Sequence, residues 1–311
     1  MPTEHAAVRA VHKPWGMRGL QPWSEIEDSD GAVGELWFER ADKNAPAPAL
    51  LLKLLFTSEP LSIQVHPDDT FARAMGLPNG KSEAWYILSA KDGAQVGVGL
   101  KHRVTPQELR TSIRNRSIVD LIDWRPVVPG DVIYIPAGTI HAIGAGIVLA
   151  EIQQHSDATF RLFDYGSGRE LHEDNGIAVA RTWPSQTPCV PASLGEGRTL
   201  LVASRHFVLE RLDLLEGSSW ALLAEPETWI LALDGHAAIG LDAVSLGQAV
   251  FVGGGRTSIE VGDSGLHALI AYPASQPVDS LLQRLGEPSA SLLAPTAAAI
   301  PQLTGLAQAQ T

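Results

Sequence analysis

One cysteine, Cys189, stands among 311 residues. A single thiol excludes an intramolecular disulfide and any metal cage built from several thiolates. Basic charge is also scarce: 23 Lys and Arg face 35 Asp and Glu, a formal net charge of −12. That balance argues against nucleic acid or an anionic membrane surface as a bulk partner. A small anion is still open to it, because a few buried cations outweigh a distant surface field at short range. No apolar run approaches the ~20 residues that a membrane span needs. Met1 to Gly16 interleaves Glu4, His5, Arg9, His12 and Lys13 where a signal peptide would carry its apolar core. A cytoplasmic protein in a reducing compartment is the expectation.

What is present is an ordinary globular mixture, 45% hydrophobic and 19% charged, long enough for two domains. Short β-type runs punctuated by Gly and Pro dominate: Leu50 to Phe56, Ser62 to His66, Ala84 to Ser89, Val132 to Ile135 and Ile147 to Gln153. The pattern resumes at Leu200 to Ala203, Phe207 to Leu212, Thr228 to Leu233, Ala249 to Val252, Ser258 to Val261 and His267 to Tyr272. Many short strands at close spacing indicate a mainly β protein of barrel or sandwich type. Asp69 to Met75 reads as a short helix. A longer one starts after Thr105, with Pro106 at its first position and Glu108 completing a capping box, and runs towards Trp124 with a break near Asn115. The expected organisation is a first barrel over residues 1–181 with a helical insertion at about 105–124, a Pro-, Ser- and Gly-rich linker at 182–197, a second barrel at 198–275 and a tail at 276–311.

The segment Gly130-Asp-Val-Ile-Tyr-Ile-Pro136-Ala-Gly138-Thr-Ile-His141 opens with a turn, continues as a strand, turns again at Pro-x-Gly and delivers a histidine to the next strand. It resembles the second motif of cupins, G-x5-P-x-G-x2-H, at all of its fixed positions. Upstream, Gln64 and His66 are two apart, as are Lys81 and Glu83, so each pair shares one strand face. With His141 they offer two imidazoles, a carboxylate and an amide oxygen, a set suited to a divalent transition metal with room for water or substrate.

Three longer strings make the resemblance specific. Ser62-Ile-Gln-Val-His-Pro67, Lys81-Ser-Glu-Ala-Trp-Tyr86 and Gly146 to Arg161 are similar to signatures of type I mannose-6-phosphate isomerases, as is Pro14-Trp15-Gly16 for the shorter bacterial members. The resemblance covers roughly residues 10 to 275. It implies two cupin jelly-roll barrels and one divalent metal, expected to be zinc, held by Gln64, His66, Glu83 and His141. It also implies a sugar-phosphate substrate, an essential Arg161 and a substrate-contacting Lys81. The implied aldose–ketose exchange moves a proton between C2 and C1 through an enediol, which requires a base and a stabiliser of oxyanion charge. Glu151 is the candidate proton carrier. If the chain stays extended, Glu151, Asp157 and Arg161 share a face; Asp157 could then act in the chemistry or orient Arg161. Lys81, Ser82 and Arg169 are the expected substrate or phosphate contacts, with Arg169 equally readable as a solvated turn residue.

Two departures from the family pattern appear: the insertion between Glu83 and His141 is short, and Asp164 to Leu171 is compact. Two other readings of the site remain open. Two histidines and a carboxylate also serve iron(II) dioxygenases, and a non-catalytic sugar-phosphate-binding regulator would keep the cations. Oligomeric state is not legible. In the second half, Gly247-Gln-Ala-Val-Phe-Val-Gly253 to Ser258 repeats the spacing of the His141 motif, with Gly253 in place of the proline and Ser258 in place of the histidine. This reads as a degenerate repeat without a metal. Turnover per folded molecule should therefore survive in Ser258→Ala and be lost in Glu83→Ala; equal losses would place the second barrel in the active site.

Overall fold

The computed structural model describes residues 3–26, 31–185 and 189–286; residues 287–311 of the expected tail and 186–188 of the expected linker lie outside them. The chain is mainly β, built from antiparallel sheets. A six-stranded sheet runs in the order Ala7–Met17, Val33–Glu39, Leu50–Thr57, Ile147–Gln154, Glu83–Ala90, Val132–Ile135. A five-stranded sheet faces it, in the order Phe160–Phe163, Ile63–Val65, His141–Ile143, Gln95–Leu100, Ile122–Pro126. These two sheets enclose the first barrel. A ten-stranded sheet, from Thr3–His5 and the strands after residue 191, forms the second.

Strand periodicity explains how one sheet serves two purposes. In the strand Leu50–Thr57, Leu50, Leu52, Leu54 and Phe56 join a core shared with Phe207, Trp229, Phe251 and Leu269 of the second barrel. The alternate residues Lys53 and Leu55 face the interior of the first barrel. The same split places Ala84 and Tyr86 against the second barrel while Glu83 and Trp85 turn inward, and Ala150 and Ile152 outward while Glu151 turns inward. Because both faces are covered, the run Leu50–Phe56 is apolar almost throughout. The opposite flank of the first barrel is closed by helices. Pro106–Arg114 carries the expected capping box at Thr105 and Glu108 and packs Leu109 and Ile113 against Ile63, Val65 and Phe160.

Several features differ from the sequence expectation. The strand Thr3–His5 pairs with Ala249–Val252, so it belongs to the second barrel's sheet, although residues 1–181 were assigned to the first. Within 182–197, the segment Ala192–Gly195 is a strand paired with Arg198–Ala203. Leu282–Arg284, within the expected tail, is a strand paired with Ser219–Ala224. The helical insertion ends earlier than Trp124: helix Ile118–Leu121 is followed by the strand Ile122–Pro126. The runs Ser258–Val261 and His267–Tyr272 are one strand, Gly255–Tyr272, that spans the polar stretch between them. The helix Glu173–Val179 carries too little apolar periodicity to be read from sequence; Arg110 and Arg114 hold it through Glu173.

The second barrel's interior is filled by Leu212, Trp220, Leu222, Ile230, Ile259 and Ile270, among others. Its buried charged residues among those described form a satisfied cluster: Arg198 donates to both Glu210 oxygens at 2.8 Å, and Tyr272 donates its hydroxyl to the same carboxylate. The shared core makes the two barrels one folding unit. Phe251→Ala removes a buried ring whose centroid lies 4.9 Å from that of Trp229 in a tilted contact and should cost ~3–5 kcal/mol. Denaturant unfolding followed by tryptophan fluorescence and by circular dichroism should give a single coincident transition; two separated transitions would contradict the shared core.

Candidate functional site

The Pro136-Ala-Gly138 turn places His141. Gly138 sits at φ 87°, a conformation that disfavours any side chain. Its amide donates to the carbonyl of His66 at 2.8 Å, which ties one candidate ligand to the turn that aims the other. Residue His141 also pairs directly with Gln64 across the sheet. Glu83 arrives from the facing sheet, at the start of its strand.

These side chains converge. Glu83 lies 3.3 Å from His66 Nε2 through one oxygen and 3.4 Å from His141 Nε2 through the other. The Gln64 amide reaches to 3.3 Å from His141 Nε2. All three of His66, Glu83 and His141 are essentially inaccessible to solvent. The other ring nitrogens are spoken for: His66 Nδ1 donates to the carbonyl of Ala158 at 2.9 Å, and His141 Nδ1 to that of Thr139 at 2.8 Å. Those bonds put the ring proton on Nδ1 and leave the Nε2 lone pairs pointing at the common centre, an arrangement typical of metal-binding histidines.

Electrostatics agree. Burial, reinforced by the neighbouring Lys81 charge, pushes His66 down to about 3, and burial likewise lowers His141, so both rings are neutral. Burial alone would raise Glu83, but the Lys81 ammonium outweighs it and holds the carboxylate well below its usual range. Lys81 Nζ stands 2.9 Å from His66 Nε2 and 2.6 Å from Glu83 Oε2. Glu83 Oε1 is buried with no hydrogen-bond partner. Two imidazole lone pairs, one of them now facing the Lys81 ammonium, and an orphaned carboxylate oxygen in a buried pocket fit a divalent cation. Turning the Gln64 amide over would present its oxygen there as a fourth donor. Among the described residues, His66, Glu83 and His141 form the one cluster of His, Cys, Asp or Glu side chains spaced to hold a metal.

A cavity of about 270 Å3 opens beside this centre. Gln64 and Lys81 line it, with Glu151 and Arg161 on its walls and Asp157 and Arg169 towards its mouth. Glu151 is buried, and its carboxyl pKa is raised by burial and then by the nearby Glu83 charge. Trp85 Nε1 donates to one of its oxygens at 3.0 Å, and Lys53 lies 3.4 Å from the other. Arg161 donates Nη1 to the carbonyl of Glu170 at 2.8 Å, while its buried Nε makes no hydrogen bond.

Three expectations need correction. The chain is not extended from Glu151 to Arg161: the strand ends at Gln154 and a new one begins at Phe160 in the facing sheet, so the residues meet by closing the barrel between them. Arg161 finds its carboxylate in Asp164, at 4.0 Å, and not in Asp157. Ser82 is turned into the fold, where its hydroxyl accepts from the amide of Ala137, and it does not line the cavity. Arg169 does line it, gripped by Asp164 through Nε at 2.6 Å.

The sequence reading missed Lys13, Glu35, Trp37 and Lys53, which form the far wall. A signal existed for one of them: Lys53 is the sole charge in Leu50–Phe56, and an unpaired lysine is almost never buried. Lys13, Glu35 and Trp37 lie on strands whose charges and Pro14 hid their β character. The strand Ala7–Met17 tolerates its proline because it is at the sheet edge.

Fold and site together define a cupin-type double barrel with a buried candidate metal centre. No family model matches the sequence. The chain is 35% identical over 207 residues to the mannose-6-phosphate isomerase of Streptococcus mutans, a match that spans 63% of this chain and 65% of that one, just under two thirds of the relative. Its fold is similar to the crystal structure of the mannose 6-phosphate isomerase of Bacillus subtilis, with a TM-score of 0.74 and 23% identity over 88% of this chain and 100% of the other. It also matches a zinc-bound mannose 6-phosphate isomerase, with a TM-score of 0.67 and 14% identity over 88% and 99% of the two chains. The chain is therefore similar to mannose-6-phosphate isomerases in sequence over part of its length and in fold over most of it.

The geometry predicts one tightly bound divalent ion per chain. Elemental analysis of protein loaded with zinc and desalted should give one equivalent, and His141→Ala should lose it. Two tight equivalents, or one that persists in His141→Ala, would contradict the assignment.

Proposed function

We propose that the protein is a metal-dependent isomerase that interconverts mannose 6-phosphate and fructose 6-phosphate through an enediol. The observation that carries this reading is the juxtaposition, in one cavity, of the His66–Glu83–His141 centre and Lys81 with Glu151 and Arg161. A divalent ion, zinc by the donor set, held by His66, Glu83, His141 and Gln64 would supply Lewis acidity towards the sugar's carbonyl and hydroxyl oxygens.

The protein's own residues account for the rest. Glu151 takes the proton from C2; that C–H bond's electrons form the C1–C2 double bond as the C1=O π pair moves onto O1. The O2–H proton passes to O1, and Glu151 returns its proton to C1 as the O2 electrons close the C2 carbonyl. Burial and the nearby Glu83 charge raise its pKa, which strengthens it as a base in the accepting step. Arg161 offers its non-hydrogen-bonded Nε–H to oxyanion charge that develops in the enediolate. Lys81, which lines the cavity beside the centre, presents a cation to the sugar's oxygen edge. Arg169 and the outer rim of the cavity are assigned to the phosphate, and Asp157 to the rim's hydrogen bonding with substrate. The dioxygenase and regulator readings have no feature of the site in their favour that the isomerase reading lacks.

A coupled assay with mannose 6-phosphate, run before and after chelation and again after zinc is restored, tests this reading; zinc-loaded protein that leaves the substrate unconverted would defeat it. Within it, Arg161→Ala should lower kcat by about 10²–10³-fold. Arg161→Lys should recover little, because a point charge does not replace the planar fork. Unchanged kcat with a raised KM would make Arg161 a ground-state binding residue.

A further inference from the structure

The row of inward-facing residues Trp37, Lys53, Glu151 and Trp85 crosses four adjacent strands at one register level. Lys53 is nearly inaccessible, yet it carries a charge inside an otherwise apolar strand. Its ammonium is held on three sides. The ring of Trp37 lies 4.3 Å away, Glu35 Oε2 is at 3.7 Å, and Glu151 Oε1 is at 3.4 Å. Glu35 is itself fixed, by the indole of Trp37 at 2.6 Å and by Lys13 at 3.4 Å from the opposite side. A lysine on a four-carbon stem has rotamer freedom to lose, and here a tryptophan face and a second carboxylate remove it.

We propose that Lys53, held by Glu35 and Trp37, is a positioning residue for Glu151: it fixes the carboxylate between its own ammonium and the Trp85 indole and keeps it available as a base. This rests on the isomerase reading above and deepens it. Glu151 has two oxygens and two anchors, one to each. Of these, Trp85 supplies direction and Lys53 supplies charge. The charged groups that face Glu151 are Lys53 from the adjacent strand Leu50–Thr57, Lys81 and Glu83 from the Trp85 side, and Glu35 beyond Lys53. Glu35 therefore has a double role. It holds Lys53 in place, and it offsets part of the charge that Lys53 presents.

The test uses full-length, zinc-loaded protein and four variants, read by steady-state kinetics across pH, zinc content and circular dichroism. Lys53→Met should lower kcat on the order of 10²-fold, as a small misplacement of a reacting group does, with KM within a few-fold of wild type and zinc content unchanged. The acidic limb of its kcat profile should move to higher pH, because the carboxylate has lost its neighbouring cation. Lys53→Arg should restore the limb's position. Glu35→Gln keeps an oxygen for the Trp37 indole and removes the offsetting charge, so its limb should move to lower pH; this variant carries the test if Lys53→Met does not fold. Raised KM with unchanged kcat in Lys53→Met would make Lys53 a substrate-binding cation and overturn the proposal, as would a fall in kcat with an unmoved limb. Glu151→Gln separates the two levels of inference. If it keeps wild-type kcat, the base assignment fails; if it is inactive while Lys53→Met keeps wild-type kcat, only the positioning role fails.

Discussion

A carboxylate and two imidazoles that share one buried point are a constraint the whole first barrel must accommodate. An uncompensated buried anion is costly, and Glu83 is fully buried. Lys81 compensates one of its oxygens and leaves the other without a hydrogen-bond partner. The backbone then takes part in setting the rings: the carbonyls of Ala158 and Thr139 fix the tautomers, and the Gly138 amide binds the His66 carbonyl. A cation at the centre would complete the charge balance and satisfy the orphaned oxygen together. The fold is arranged so that the ligands come from both sheets, with His66, His141 and Gln64 on one and Glu83 on the other, and the centre therefore exists only when the barrel is closed.

The second barrel contributes through packing. It covers the outer face of the six-stranded sheet, which allows that sheet's strands to be apolar on one side and chemically equipped on the other. Trp229 also donates its indole to the carbonyl of Leu50, at the start of the strand that carries Lys53. The second barrel's buried charged residues among those described, Arg198 and Glu210, are paired with each other and with the Tyr272 hydroxyl. The turn that repeats the His141 motif keeps its irregular backbone at Gly254 and Gly255, both at positive φ, while Ser258 lies within a long strand. No helix among the described residues is long and apolar enough to cross a membrane.

The sequence revealed those parts of the site whose chemistry is local. A Pro-x-Gly turn that ends in histidine, and pairs of polar residues two apart, announce themselves through turn geometry and strand period. The mainly β architecture, the capping box at Thr105 and the break near Asn115 were legible for the same reason. Properties of register were not. Trp37, Lys53, Glu151 and Trp85 are scattered over more than half of the first barrel's chain, and only strand pairing puts them in one row. Ser82 was misplaced because its neighbours at 81 and 83 face the site and it lies between them. Asp157 was paired with Arg161 on the assumption of an unbroken strand, but the chain crosses between sheets there and Asp164 takes the role.

The central claim is that this fold assembles a cation site from His66, Glu83 and His141 with Gln64 beside them. Anomalous diffraction at the zinc absorption edge, on crystals of zinc-loaded protein, tests it without reference to activity. The account predicts one strong peak at bonding distance, about 2.0–2.2 Å, from both Nε2 atoms and from a Glu83 oxygen, with the Lys81 ammonium displaced from between them. A zinc-loaded crystal whose peak lies elsewhere, with Lys81 still bridging His66 and Glu83, would contradict it.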